Sequence, residues 1–390
     1  MTDRTCTTKV VVLGGGYAGT LAANHLRTRA DIDVVLINPR AQFVERIRLH
    51  QFAAGTGTAT VDYGTLLGAG INRLVDTAVR IEAPNRRVAL ASGAELDYDY
   101  LIYAVGSNGA GRASVPGAVE FALPVAELEY AERLRTALEE EAAVTVVGGG
   151  ITGIETAAEL ADQGRDVTLV AGGTLAPSFS EPGRASVARW LARHQVDVRE
   201  AASVIEVRRD AVVLDDGAVV PSAVTVWTAG FGVPDLATRS GLATDPSGRL
   251  LTDETLTSVA DERVVAAGDA AAPSGRPLRM SCQAAIPLGA QAANTILSRI
   301  AGTPPRPLDQ AFAGTCASLG RHAATFQLAQ RDDTSVNFYV GGRLGASIKE
   351  LACRATLWSL RQEARRPGSA VWLKGGRRAT SAEQERATSP

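Results

Sequence analysis

The residues best placed to do chemistry are glycines. Gly14, Gly16 and Gly19 follow an apolar β-branched run at 9–13, and Gly148, Gly150 and Gly153 follow a second such run at 143–147. Each set is a G-x-G-x-x-G turn between a strand-like and a helix-like stretch, where one signature would be weak but two in context are specific. In this pattern the first glycine makes the tight turn, the second lets a pyrophosphate approach the backbone, and the third packs helix on strand. The helix N-termini, at Tyr17-Ala18 and Ile151-Thr152, then offer unpaired N–H groups and a positive dipole to phosphate. Two such turns imply two dinucleotides. About twenty residues past each turn, where an acidic ribose ligand is usual, the chain has Asn38, followed by Pro39 and Arg40, and in the second case Ala171. An amide can bond both ribose hydroxyls, whereas an alanine can bond neither.

Other chemistries lack their residues. Cys6, Cys282, Cys316 and Cys353 form no CxxC and have no histidine at metal-ligand spacing, so no metal site is expected. With 40 Lys plus Arg against 42 Asp plus Glu, there is no basic excess to replace phosphate counterions, and nucleic-acid binding is not expected. The longest uncharged stretch, 280–298, carries Ser281, Gln283, Pro287, Gln291 and Asn294, which a bilayer core would not accept cheaply. The N-terminus enters its first strand without a secretory h-region, so a cytoplasmic location is expected.

These turns need elements to hold them. Further apolar runs at 34–38 and 167–171 complete a βαβ unit in each half. Strands are expected near 88–90, 100–105, 211–214, 224–228 and 263–267, with Asp215-Asp216-Gly217 a hairpin turn. A helix broken near its start by Pro287 should cover 284–300, and 303–307 reads as a stiff linker. Strands at 314–348 and a helix at about 348–365 would follow. The fold class is α/β: two Rossmann-like dinucleotide-binding domains and a small C-terminal α+β part. The expected organisation is a first domain in two parts, 1–112 and 238–305, a second at 113–237, a C-terminal domain at 306–375 and a disordered tail at 376–390.

Several segments in order resemble the pyridine nucleotide-disulfide oxidoreductase superfamily. Residues 99–107 (DYLIYAVGS) with Val115-Pro116-Gly117 are similar to its D-x-L-x-x-A-T-G-S…PG segment, with Val105 for Thr. Residues 264–270 (VVAAGDA) resemble its second flavin motif, and 226–230 (VWTAG) its T-A-G turn. Within the superfamily the chain is most similar to type II NADH dehydrogenases and apoptosis-inducing-factor-like reductases. That resemblance implies FAD on the first unit and NAD(P)H on the second, with Ala104, Gly106, Gly230, Gly268 and Asp269 at the cofactors. It also implies a quinone or other small organic electron acceptor, and Cys282 and Gln283 fall in a segment that resembles the quinone-associated A-Q-x-A-x-Q-x-G. Here Cys282 replaces Ala and Pro287 the second Gln. Open alternatives are a soluble reductase feeding a partner redox protein and a non-catalytic FAD/NAD redox sensor, as monomer or homodimer.

Site roles implied by the resemblance fall on four residues. Glu155 matches a glutamate that lies near the nicotinamide, although a first-turn carboxylate also suits the helix dipole. Arg48 and His50, with Arg46, lie in a loop that relatives bring to the flavin. Lys349 begins the C-terminal helix that relatives fold back. Disulfide reductases of the superfamily place a Lys–Glu pair beside the flavin, and no lysine lies between residues 10 and 348. With no CxxC either, disulfide reduction is not expected on two counts. Ile348, Leu351, Ala355 and Trp358 share one helical face, which either packs in the core or gives peripheral membrane contact. Core packing is the expectation.

Overall fold

A computed structural model describes residues 7–109, 111–140 and 143–376. The expected tail lies, from residue 377, outside the described residues. Two five-stranded parallel sheets organise the chain. The first runs Val264–Ala266, Tyr100–Tyr103, Thr8–Leu13, Ile32–Asn38, Ile71–Val75. The second runs Ala122–Pro124, Val224–Trp227, Ala143–Val147, Asp166–Val170, Asp197–Arg199. Their central strands are buried runs rich in Val, as parallel strands covered on both faces must be. The strand at 264–266 returns to the first sheet after the second is complete, so the first sheet draws on two distant stretches of chain. Asp215-Asp216-Gly217 turns the hairpin between Ala211–Leu214 and Val219–Pro221.

Each glycine turn leads into a helix, Tyr17–Leu26 or Ile151–Asp162. Gly14 and Gly148 have φ of +100° and +120°, a region in which a side chain is strained. A Cβ on Gly19 would run into the Gly14 carbonyl, and one on Gly153 into the Gly148 carbonyl. The same glycine logic thus closes strand on helix in both halves.

Two expectations about helices need correction. Cys282–Ile300 is continuous through Pro287, capped by Ser281, whose side chain accepts from the Ala284 N–H. The proline removes the N–H that would bond the Gln283 carbonyl, and the Gln310 amide donates to that carbonyl instead, at 3.4 Å. The last helix starts earlier than expected, at Gly342, and runs to Arg365 after a three-stranded antiparallel sheet, Gly314–Leu319, Ala323–Ala329, Ser335–Val340. It buries Gly345, Cys353, Thr356, Leu360, Glu363 and Ala364. The face expected in the core points the other way: Leu351 is 69% and Trp358 62% exposed.

That helix is pinned to the first half of the chain. His25 Nδ1 lies 2.7 Å from the fully buried Glu363 and its Nε2 3.1 Å from Asn294. Arg27 donates to the Ala364 carbonyl at 2.7 Å. His25 is therefore structural, as is His194, which stacks on Trp190.

Candidate functional site

A cavity of about 1120 Å³ runs from the first glycine turn to the second and out beneath the C-terminal helix. Its walls include Gly14, Gly16, Tyr17, Ala18, Asn38, Arg40, Ala104, Gly106, Gly150, Ile151, Thr152, Gly268, Asp269, Cys282 and Gln283. Glu155, His50 and Lys349 line it as well. Gly19, Pro39, Gly148, Gly153 and Gly230 are not on its surface, and the third glycines act through helix packing.

The dinucleotide fit can be tested at the turns. Gly16 and Gly150 are N-caps without a side-chain cap, and a Cβ built on either meets nothing within 4 Å. Each helix therefore presents its first-turn N–H groups to open space, as phosphate requires. Asn38 Oδ1 accepts from the Gly15 N–H at 3.0 Å and its Nδ2 donates to the Arg40 carbonyl at 2.8 Å. Tyr63 Oη donates to the Gly15 carbonyl at 2.6 Å, so the first turn is fixed from the side. Arg40 is paired with Glu129 through two bonds of 2.6 and 2.7 Å. At the other wall, Asp269 accepts from Ser107 at 2.6 Å, and Arg46 donates to Ser107 at 2.9 Å. The residues fit FAD at the first turn and a pyridine nucleotide at the second.

Between the turns sits a buried polar cluster. Glu155 is 6% exposed and His50 4%, so the glutamate is not a solvated first-turn carboxylate. Lys349 Nζ lies 2.7 Å from Glu155 Oε1, and the same oxygen accepts from the Ser318 N–H at 3.0 Å and its hydroxyl at 3.1 Å. The Ser318 hydroxyl also lies 3.3 Å from His50 Nε2. With Ser318 donating to Glu155, it accepts from His50, which places the proton on Nε2 of a neutral ring. Burial alone would raise the Glu155 carboxyl, yet the Lys349 ammonium and the hydrogen bonds from Lys349 and Ser318 bring it below its ordinary value. Burial would likewise lower Lys349, and Glu155 overrides it, keeping the ammonium charged. His50 goes the other way: burial outweighs Glu155 and pushes it down to about 4.

This cluster corrects one inference. No lysine within the two nucleotide-binding halves can pair with Glu155, but the C-terminal helix brings Lys349 across to do so. Arg48 is not part of the cavity wall; its guanidinium is tied to Glu45 at 2.9 Å and to Glu350 at 3.1 Å. Ser107 closes the 99–107 segment quoted above but was not named as a site residue, and Ser318 is a site residue without any sequence signal, since a serine in a strand has no spacing that marks it. Cys316 and Cys353 join Cys282 on the cavity wall, and burial raises all three thiols, Cys316 to about 12 and Cys353 to about 11. They are neutral at physiological pH. No group able to hold a metal ion occurs among the described residues.

Two glycine-turn sheets sharing one cavity define an oxidoreductase that brings two dinucleotides together. The family model for pyridine nucleotide-disulphide oxidoreductases matches residues 8–289, and the chain belongs to that family. It is accordingly an enzyme that works with FAD and NAD(P)H. An NADH dehydrogenase-like protein of Mycobacterium tuberculosis is 30% identical over 354 residues, covering 82% of this chain and 87% of that protein. A type II NADH:quinone oxidoreductase of Haemophilus influenzae is 26% identical, covering 83% and 87%. Among solved structures, the sulfide:quinone oxidoreductase of Aquifex aeolicus superposes with a TM-score of 0.80 at 20% identity, covering 93% of each chain. NDH2 of Plasmodium falciparum, solved with NADH, gives 0.77 at 16% identity, covering 93% of this chain and 99% of that one.

Proposed function

We propose that the protein is an NAD(P)H:quinone oxidoreductase. The observation that carries this reading is the cavity itself. It is continuous from two uncapped glycine turns, past a charged Lys349–Glu155 pair, to an apolar exit at Ile286, Ile348, Leu351, Val371 and Leu373. When bound, FAD supplies the redox chemistry, accepting a hydride from NAD(P)H and returning two electrons to the acceptor.

The chain's own residues supply position and charge. The Gly16 and Gly150 helix ends hold phosphates, and Asn38 and Arg40 take the adenosine end of the first dinucleotide. Asp269, steadied by Ser107 and Arg46, accepts from the ribityl hydroxyls. Cys282 and Gln283 close the flavin wall, Gln283 standing over the backbone at Ala313 and Gly314. Lys349 holds a full positive charge at the cavity wall, where it stabilises anionic character in the acceptor. His50 stays neutral and fixes Ser318, and Arg48 acts at one remove by holding Glu350 against the loop.

The apolar exit opens on a surface suited to a lipid bilayer carrying anionic headgroups. Leu344, Leu351, Trp358, Val371 and Leu373 are exposed there, beside Arg343, Arg354 and Arg365 on the same helix. An apolar and aromatic face flanked by arginines is what interfacial binding requires. No helix among the described residues is long and apolar enough to cross a membrane, so contact would be peripheral.

Steady-state turnover of NADH with a quinone dissolved in anionic-lipid vesicles tests this reading. Parallel double-reciprocal lines are expected, with a higher rate when quinone and protein share the vesicle than when the quinone is in detergent. Turnover confined to a redox protein such as a ferredoxin, with none on quinone, would contradict it.

A further inference from the structure

A second buried carboxylate lies one helical turn beyond Glu155, and the chemistry described so far does not use it. Glu159 is 1% exposed. Thr56, in the turn after the Leu49–Ala53 helix, donates a short hydrogen bond to its Oε1. Its Oε2 is buried without a hydrogen-bond partner among the described residues. On the outer side, Arg321 Nη1 lies 3.8 Å from Oε1, with its own side chain 44% exposed. The Arg321 N–H donates to Asp162 at 3.1 Å. Glu155, Glu159 and Asp162 are spaced i, i+4 and i+7 and so share one face of the helix. They form a carboxylate row from the surface turn at Gly320–Arg321 to the Lys349 cluster.

We propose that Glu159 relays a proton between the solvent-facing turn at Arg321 and the buried Glu155–Ser318–His50–Lys349 cluster. The inference rests on the quinone reading above. The balanced reaction is NAD(P)H + H⁺ + quinone → NAD(P)⁺ + hydroquinone: the nicotinamide gives up one hydride, and the second proton of the hydroquinone comes from water. Glu155 and His50, on the cavity wall, are buried, and a proton passing to them from the Arg321 turn travels through the carboxylate row.

Glu159 suits the task for three reasons. Burial holds its carboxyl above the ordinary value, against Thr56 and Arg321, which lower it, while Asp162 and Glu155 raise it further. Those are the charged groups that face it: Arg321 from the surface turn, and Asp162 and Glu155 from its own helix. A carboxyl so placed keeps a proton more readily than Glu155, which Lys349 holds ionised. The unpartnered Oε2 is a position for that proton. The Cβ atoms of residues four apart on a helix lie about 5–6 Å apart, a span that a glutamate crosses by changing rotamer.

The test compares the holoprotein with Glu159→Gln, which keeps the shape and an acceptor for Thr56 but carries no exchangeable acid. Glu159→Asp serves as the conservative variant. Reduction by NADH in an anaerobic stopped-flow instrument should stay within about twofold of wild type. Reoxidation by menadione should slow on the order of 100-fold in Glu159→Gln, the scale of lost general acid catalysis. The slowed step should carry a larger solvent deuterium isotope effect and recover with added formate or acetate. Glu159→Asp should fall between. Independently of turnover, the infrared band of a protonated carboxyl in the resting wild type should vanish in Glu159→Gln. Reoxidation at the wild-type rate without rescue, in whichever variant folds, would overturn the relay. A wild type reduced by NADH that no quinone reoxidises would refute the acceptor reading instead; the infrared band then decides for Glu159, and its absence from the wild type overturns the relay.

Discussion

Glu155 and Lys349 are opposite charges buried together, and each is tolerable only because of the other. Removing one partner leaves an uncompensated buried charge, so Lys349→Met should destabilise the fold by about 3–5 kcal/mol. Adding Glu155→Gln should return much of that loss, because the second substitution removes the stranded charge. Denaturant titration of the two single variants and the double variant measures the coupling; additive losses would show that the pair does not interact. His50 gives a pH signature. Its folded value of about 4 lies below the ordinary 6.5, so between those values the unfolded chain binds a proton that the folded chain refuses. Stability should therefore fall as pH drops from 6.5 towards 4, by on the order of 3 kcal/mol. Thermal melts across that window should show His50→Gln losing that part of the acid sensitivity. A parallel acid loss in the variant would assign the effect to other groups. At this scale, legibility followed local pattern. Glu155 is marked by its place after Gly153, whereas Ser318 is fixed only by a strand that the fold delivers to it. Lys349 carried a hint of function, but its partner is nearly two hundred residues away in sequence.

The two glycine turns were the most legible elements, since a positive φ and a close strand–helix approach leave no other residue type possible at Gly14, Gly19, Gly148 and Gly153. The C-terminal helix was the least. Its first turn, Gly342 to Gly345, reads as part of the strand region because Gly342 and Gly345 are poor helix formers, yet Gly345 is needed where a Cβ would meet the Val340 and Ala324 carbonyls. Its outward face was misassigned for a related reason: an apolar stripe tells which residues share a side, not which side is covered. The loop after Asp166–Val170 is where a ribose ligand for the second dinucleotide is expected. Ala171 stands where a ribose-binding carboxylate is usual, Glu200 is engaged with the Leu175 N–H at 3.0 Å, and Arg184 donates to the Phe179 carbonyl at 3.0 Å. Discrimination between NADH and NADPH should stay within about tenfold, or 1.4 kcal/mol. Ala171→Glu should raise the Michaelis constant for NADPH by about ten- to a hundredfold, the worth of one charged contact. Initial-rate kinetics with both nucleotides decide this; a wild type that prefers one by a thousandfold would show ribose recognition elsewhere.

At the scale of the whole molecule, two parallel sheets aim their glycine turns into one cavity and the C-terminal helix roofs it with Lys349. The arrangement puts both glycine turns and an apolar opening on one cavity. Its central claim is that one bound flavin is reduced at one end of this cavity and reoxidised from the other. Anaerobic double mixing, following flavin absorbance, tests that claim most directly. The oxidised band should bleach with one equivalent of NADH per chain and return, fully and without oxygen, when a short-chain quinone is added. A purified chain that cannot be loaded with FAD, or one whose bleached flavin stays reduced in excess quinone, would contradict the account.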